Sequence, residues 1–181
     1  MPGFHEGSAW NYTFYVPHDV DGLIRLTGGP KNFVKRLRRV FDDGLYDPAN
    51  EPDIAYPYLF SRVKGEQWRT WRTVHDLLDK CFRNAPDGLP GNDDTGTMSA
   101  WAVFSMMGFY PDCPGDPSYT LSLPVFERVE IDLPSGKVLT IVKSPKVRPA
   151  RGTTVRVGSR KVSDYRISHD ALVAAGTITW K

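Results

Sequence analysis

Cysteine and histidine are scarce in this chain of 181 residues, with two cysteines and four histidines. Cys81 and Cys113 lie far apart, and His5, His18, His75 and His169 are equally scattered. None has metal-ligand spacing, and HExxH, CxxC and Walker A patterns are missing, which argues against a zinc hydrolase or a P-loop enzyme. Sequence spacing leaves both the free and the bridged state of the cysteines open. A bias of charge is missing as well. Twenty-three Lys and Arg stand against 21 Asp and Glu, a net charge of +2, so no electrostatic footprint for nucleic acid stands out. The most basic stretch, "KNFVKRLRRVF" (31–41), places Phe33, Val34, Leu37, Val40 and Phe41 at helical spacing. Its cations therefore read as a solvated helix face. No apolar run approaches the ~18 residues of a membrane span. The opening "MPGFHEGSAW" has neither a basic n-region nor an apolar h-region, so it does not read as a signal peptide. It runs straight into an aromatic segment, as though the chain began inside something longer.

What remains is an ordinary globular composition, 40% hydrophobic and 24% charged, with length for one domain or one domain and a small appendage. The pattern changes near residue 115. Before it, helices dominate: "VDGLIRLTGG" closed by Gly28 and Gly29, "PKNFVKRLRRVFDD" with Pro30 in its first turn, "YPYLFSRV", "QWRTWRTVHDLLDKCFRNA", and the nearly all-apolar "TGTMSAWAVFSMMG". After the break "YPDCPGDPS" the period shortens towards two. "YTLSLPVF", "RVEIDLP", "KVLTIVKS" and "TTVRVGSRKV" read as strands, with turns at "PSGK" and "VGSR". Ser168 is placed to N-cap a short helix that Gly176 ends, and "TITW" is a last strand. The expected organisation is a helical segment over 1–114 and a β subdomain over 115–181. No internal repeat is evident.

Three stretches set polar residues among aromatic and small ones: "HEGSAWNYTFYVPHD" (5–19), "YDPANEPDIAYPYLF" (46–60) and "PGNDDTGTMSAW" (90–101). Rings beside carboxylates and amides suit a sugar, which offers an apolar face and a rim of hydroxyls. Glu6 can be a solvated loop acid, or, under apolar rings, a carboxyl kept protonated as a general acid. Asp93 and Asp94 can cap the helix that follows them, or hold and activate a water as a general base. Asn50, Glu51 and Asp53 are an all-oxygen set of the kind calcium takes, without EF-hand spacing; a turn at Asn50 and Pro52 is the structural alternative. The sequon Asn11-Tyr12-Thr13 lies in an aromatic run that reads as buried, hence unglycosylated.

In this order, "EGSAWNYTFYVPHD", "NEPDIAYPYLF" and "GLPGNDDTGTMSAWAVFSMMGFYPDCPG" resemble the C-terminal half of glycoside hydrolase family 92, the calcium-dependent, inverting exo-α-mannosidases. The tail "DYRISHDALVAAGTITW" is similar to the family's closing helix and strand. The resemblance implies a mainly α fold, part of an (α/α)6 toroid, followed by a small antiparallel β subdomain. It implies that the family's N-terminal β-sandwich and earlier toroid helices are the missing N-terminal part of the same enzyme. Glu6 matches the acid expected to protonate the glycosidic oxygen, and Asp93 and Asp94 match the acidic pair expected to hold the attacking water. Asn50 and Glu51 match the segment that helps bind Ca2+ and the first sugar. Trp10, Asn11, Tyr12, Asn92 and Trp101 would line or support the pocket.

The implied substrate is a mannose-containing glycan, α-1,2-linked, and the full-length parent is expected to be secreted or periplasmic. Two flanks depart from the family pattern. Pro48 and Ala49 stand where many members have His-Gly, and Ile54 and Ala55 where many have His or Gln, so linkage preference is open. An inverting mechanism asks for acid and base on opposite faces of the sugar, ~6.5–9.5 Å apart, and residues 6 and 93/94 lie in separate elements as this requires. The competing readings are a truncated, non-catalytic carbohydrate-binding remnant and an (α/α) glycosidase of other sugar specificity.

Overall fold

The computed structural model describes residues 3–181, so the first two residues of the expected helical segment lie outside the described ones. Among the described residues there are six α-helices: α1 (Ala9–Thr13), α2 (Val20–Leu26), α3 (Pro30–Asp42), α4 (Gln67–Cys81), α5 (Thr97–Met107) and α6 (His169–Ala174). Pro30 opens α3, where its missing N–H would have had no helical partner, and Gly29 before it takes φ 94°. The apolar stripe then falls inward, with Phe33, Leu37 and Val40 fully buried and the arginines outside. Arg38 and Arg39 pair with Asp42 and Asp43 one turn on, each at 3.0 Å, so the cations do form a solvated face.

"YPYLFSRV" departs from the expected α-helix. Residues Tyr56–Arg62 wind as a 3-10 helix, with i to i+3 bonds from Tyr58 N–H to Ala55 O and from Val63 N–H to Phe60 O. Pro57 near its start donates no bond, and residues Tyr56 to Ser61 are all buried, so the run lacks the exposed face of an amphipathic helix. It packs against α4. The helical half holds two apolar clusters. One joins Phe14, Leu23, Phe33, Leu37 and Tyr56; the other joins Tyr58, Val74, Leu78 and Trp101.

Eight strands follow: β1 (Phe109–Tyr110), β2 (Ser118–Leu121), β3 (Arg128–Asp132), β4 (Val138–Lys143), β5 (Val155–Val157), β6 (Arg160–Val162), β7 (Arg166–Ser168) and β8 (Thr177–Trp180). The two-residue β1 and the three-residue β7 are too short for a period-two pattern to announce them. They flank β2 in an antiparallel sheet, so one sheet takes strands from both sides of the 114/115 break. The second sheet runs β3-β4-β8-β5-β6. Its pairings are antiparallel, as expected, except β4–β8, which is parallel with Ile141 opposite Ile178. The α6 crossover lies in the long connection that makes this possible, and Ser168 caps that helix as expected, accepting from Ala171 N–H. Leu139, Ile141, Val155, Ile178 and Trp180 form the β core, which Trp71 of α4 enters edge-on to Trp180 at 5.2 Å. His75 of α4 also reaches across, its Nε2 2.8 Å from Leu123 O.

Trp101 is the keystone of the second helical cluster. It is 2% exposed, stacks on Phe82 at 5.4 Å and donates from Nε1 to Ile54 O at 2.9 Å. Replacing it with alanine empties a large fully packed volume, and the expected loss is about 3–5 kcal/mol by denaturant unfolding.

Candidate active site

The first polar stretch is folded around α1. Ser8 is its N-cap: Ser8 N–H and Oγ–H both donate to Asn11 Oδ1, at 2.8 and 2.7 Å, while Ser8 Oγ accepts from Trp10 N–H at 3.3 Å. This is a capping box with Asn in the third position, and the Ser-x-x-Asn spacing was visible in the sequence. Just before it, Glu6 adopts the left-handed φ of 52°, a conformation that a non-glycine residue holds only when its surroundings impose it. The Asn50 side-chain amide donates to the Glu6 main-chain oxygen at this turn. The Glu6 side chain itself is 71% exposed, with Oε1 3.4 Å from His5 Nε2. Among the described residues it has none of the ring cover that the general-acid reading asks for.

The second stretch turns its acids two ways. Glu51, at the start of the 3-10 helix Glu51–Asp53, is exposed. Asp53 is fully buried. Its Oδ2 accepts from the Asn11 amide at 2.7 Å and from Asp47 N–H at 2.9 Å. Burial raises its carboxyl to about 6, against the lowering effect of those donors. Of the calcium-type oxygens, Asp53 Oδ2 is thus engaged inside the fold, while its Oδ1 is buried and accepts no hydrogen bond among the described residues. Tyr56 completes the tie, donating its hydroxyl to Asn11 O at 2.7 Å and accepting from Phe14 N–H at 3.0 Å.

The third stretch separates the two adjacent aspartates. Asp93 Oδ1 accepts from Met98 N–H at 2.9 Å and Ser99 N–H at 3.0 Å, and its Oδ2 accepts from the Ser99 hydroxyl. These amides are the second and third of α5, so Asp93 performs the capping role from three residues before the cap position, Gly96. The Ser99 hydroxyl, then the Ser99 N–H, hold its carboxyl below the usual carboxylate range. Asp94 is exposed, and among the described residues its carboxylate accepts no hydrogen bond. Only its main-chain oxygen is used, by the hydroxyls of Thr95 at 2.7 Å and Thr97 at 2.6 Å. Thr95 is left-handed too, at φ 52°, so two of the three non-glycine residues with positive φ adjoin or are the candidate acids; Tyr165 is the third.

The three stretches meet. Asn50 reaches Glu6 O, and Gly91 stands so close to Ala49 that a Cβ built on it would lie 2.5 Å from the Ala49 Cβ. Ile54 O accepts from Trp101. The second stretch is thus the bridge between the first and the third. Of the expected pocket residues, Asn92 and Glu51 are exposed, Asn11 and Asn50 are buried supports, and Trp101 supports from within the core. Tyr12 donates to His5 O at 2.6 Å and stacks on Phe4. Trp10 packs on the helical core with the Arg39 guanidinium 5.0 Å from its ring centroid. A cavity of about 490 Å³ between α3 and α4, lined by Arg38, Trp68, Arg69 and Asp76 among others, contains none of the candidate acids. Cys81 and Cys113 are both free thiols.

For calcium, the oxygens of this segment left without a partner are Asn50 Oδ1, its amide nitrogen being committed to Glu6, the exposed Glu51 carboxylate and the buried Asp53 Oδ1. Among the described residues no group of three or more His, Cys, Asp or Glu side chains is arranged to hold a metal ion. Asn50 and Glu51 would by themselves supply two of the six to eight oxygens that calcium takes.

Residues 1–181 match the glycosyl hydrolase family 92 catalytic domain. The chain belongs to glycosyl hydrolase family 92. An uncharacterized secreted glycosidase of Arthroderma benhamiae is 36% identical over 138 residues, 76% of this chain and 18% of that protein. The family GH92 α-mannosidase BT3965 from Bacteroides thetaiotaomicron is similar in structure, with a TM-score of 0.84 and 30% identity over 97% of this chain and 24% of its own. The family GH92 inverting mannosidase BT2199 from the same species gives a TM-score of 0.86 at 29% identity, over 98% and 27%. The family 92 chain described here thus spans about a quarter or less of the length of these relatives. Its helical run followed by a β region is the fold it shares with them, and no helix among its described residues is long and apolar enough to cross a membrane.

Proposed function

We propose that this family 92 chain carries the general acid, the general base and part of the calcium site of an inverting exo-α-mannosidase acting on α-1,2-linked mannose. The observation that carries the reading is the joining of three acid-bearing segments, through Asn50 to Glu6 O and through Ala49 against Gly91, in a family whose solved members include α-mannosidases.

Glu6 is the acid. Its proton passes to the glycosidic oxygen as the bond from the anomeric carbon breaks. The Asn50 bond to its carbonyl fixes the backbone from which the side chain extends. Asp94 is the base. Asp93 spends both oxygens on the start of α5, whereas the neighbouring Asp94 carboxylate is free to accept a proton from water as that water bonds to the anomeric carbon. Attack from the face opposite the leaving group inverts the centre. Asn50 and Glu51 would contribute to holding Ca2+, which when bound would grip sugar hydroxyls and favour a ring shape close to the oxocarbenium-like transition state. The apolar cover that Glu6 lacks here belongs to the remainder of the full-length protein, and so does part of the sugar pocket. A secreted or periplasmic location of the full-length protein goes with this reading, supported by the relative named as secreted.

The test is release of mannose from α-1,2-mannobiose by the purified full-length protein, before and after chelation. Activity lost to a chelator and restored by calcium is expected. Chelator-resistant hydrolysis would remove the metal from the reading, hydrolysis of other glycosides alone would change the sugar, and mannose binding without turnover would favour a non-catalytic module.

A further inference from the structure

The Asn11 amide is oriented by four partners that agree. Its oxygen faces two donors, the N–H and hydroxyl of Ser8; its nitrogen faces two acceptors, Leu45 O at 3.1 Å and Asp53 Oδ2 at 2.7 Å. Leu45 O is a neutral carbonyl at the longer distance. Asp53 Oδ2 is the closer acceptor, in a fully buried position where water does not compete for the bond. Asp53 also accepts from Asp47 N–H, so it stands at the root of both the loop 45–50 and helix α1. Glu6 is two residues before the Ser8 cap and is held from the other side by Asn50, which is three residues before Asp53.

We propose that Asp53 is the positioning residue of the acid-bearing segment: by accepting from Asn11 and Asp47 it locks the Ser8–Asn11 box, and with it the left-handed turn from which Glu6 reaches the glycosidic oxygen. The inference rests on Glu6 being the acid, and it gives Asp53 a role different from that of an oxygen ligand. Without an acceptor at position 53 the Asn11 amide loses its stronger partner, the box is no longer held in one orientation, and Glu6 is displaced relative to the scissile bond. Substrate binding by the exposed Glu51 and Asn92 is untouched. What Asp53 supplies is an acceptor at one point, so asparagine, which keeps an oxygen there, substitutes for it.

The test compares Asp53→Ala and Asp53→Asn in the full-length protein on two α-mannosides, one with an alkyl leaving group and one with dinitrophenolate. Dinitrophenolate departs without a proton, so it reports everything except the acid. The expected result for Asp53→Ala is a fall in kcat of roughly tenfold or more on the alkyl mannoside, with KM within about threefold. The defect is expected to shrink to about threefold or less on the dinitrophenyl mannoside, at an unchanged calcium requirement. Asp53→Asn is expected to recover most of the lost kcat. Equal losses on both mannosides would make the role merely structural, and a loss of calcium affinity in both variants would make Asp53 a ligand; either overturns the proposal. Glu6→Gln, run alongside, separates the two layers. If it too shows no dependence on leaving group, the assignment of Glu6 fails, whereas a dependence in Glu6→Gln but not in Asp53→Ala sinks only the positioning role.

Discussion

Glu6→Gln in the full-length protein is expected to lower kcat on an α-mannoside with an alkyl leaving group by about 10²–10⁴-fold, the usual contribution of a positioned general acid. The amide keeps the size and the hydrogen-bonding oxygen of the carboxyl, so KM is expected to stay within a few-fold. A loss in kcat and kcat/KM together, with KM preserved, is the signature of an interaction made only in the transition state. Residue 6 is left-handed and its peptide oxygen accepts from the Asn50 amide, a contact that glutamine retains. Stopped assays at saturating substrate, with the melting temperature as a control for folding, check the outcome. A Glu6→Gln protein of undiminished kcat would remove Glu6 from its role.

Asp94→Asn and Asp93→Asn are expected to diverge although the residues are adjacent. Asp94→Asn takes away the proton acceptor, and a loss of about 10²–10⁴-fold in kcat is expected with little change in thermal stability. In Asp93→Asn the side-chain oxygen still accepts from the α5 amides, so a far smaller kinetic effect is expected. Asp93→Ala removes the cap altogether, and its expected effect is a melting temperature lower by a few degrees. The pH dependence has a definite sign. The Ser99 hydroxyl and the α5 amides lower the Asp93 carboxyl below its ordinary value. Its stabilising effect is therefore present above that ordinary value and is lost as the pH falls through the lowered one. The Asn variant, having no proton to gain, is expected to lack that loss. The kinetic effects of the two Asn variants, and the melting curves of the unaltered protein, Asp93→Asn and Asp93→Ala near neutral and acid pH, check these statements. The assignment of the base to Asp94 is overturned if Asp93→Asn shows the larger loss in kcat.

Much of this arrangement is legible in the chain itself, and its limits have physical causes. Helix α3 announces itself because five apolar residues recur at helical spacing behind a proline, and every one of those positions faces inward or partly inward. The cap on α6 and its glycine stop are local chemistry, visible within nine residues. Strands β1 and β7 were hidden because two or three residues carry no period, and because their pairing with β2 is decided by contacts up to about fifty residues away in the chain. The parallel β4–β8 pair is likewise a matter of topology, not of pattern.

Within the candidate site, the three polar stretches could be singled out by composition, yet composition could not say which acids turn inward. Asp53 lies two residues after Glu51 in one 3-10 turn, so the two project differently: one is fully buried and the other exposed. Nor could sequence divide Asp93 from Asp94. That division follows from the left-handed Thr95, which folds the loop back so that Asp93 reaches the second and third amides of α5.

The anomer first released distinguishes inversion from retention. Proton NMR of hydrolysis of the methyl α-glycoside of α-1,2-mannobiose by the full-length protein, whose departing methyl mannoside cannot mutarotate, followed from the first minutes before the released mannose mutarotates, reads it in one experiment. An acid at Glu6 and a base at Asp94 acting from opposite faces predict β-mannose as the first product. α-Mannose appearing first would mean that the configuration is retained, and would contradict the assignment of these carboxylates as an acid and a water-activating base.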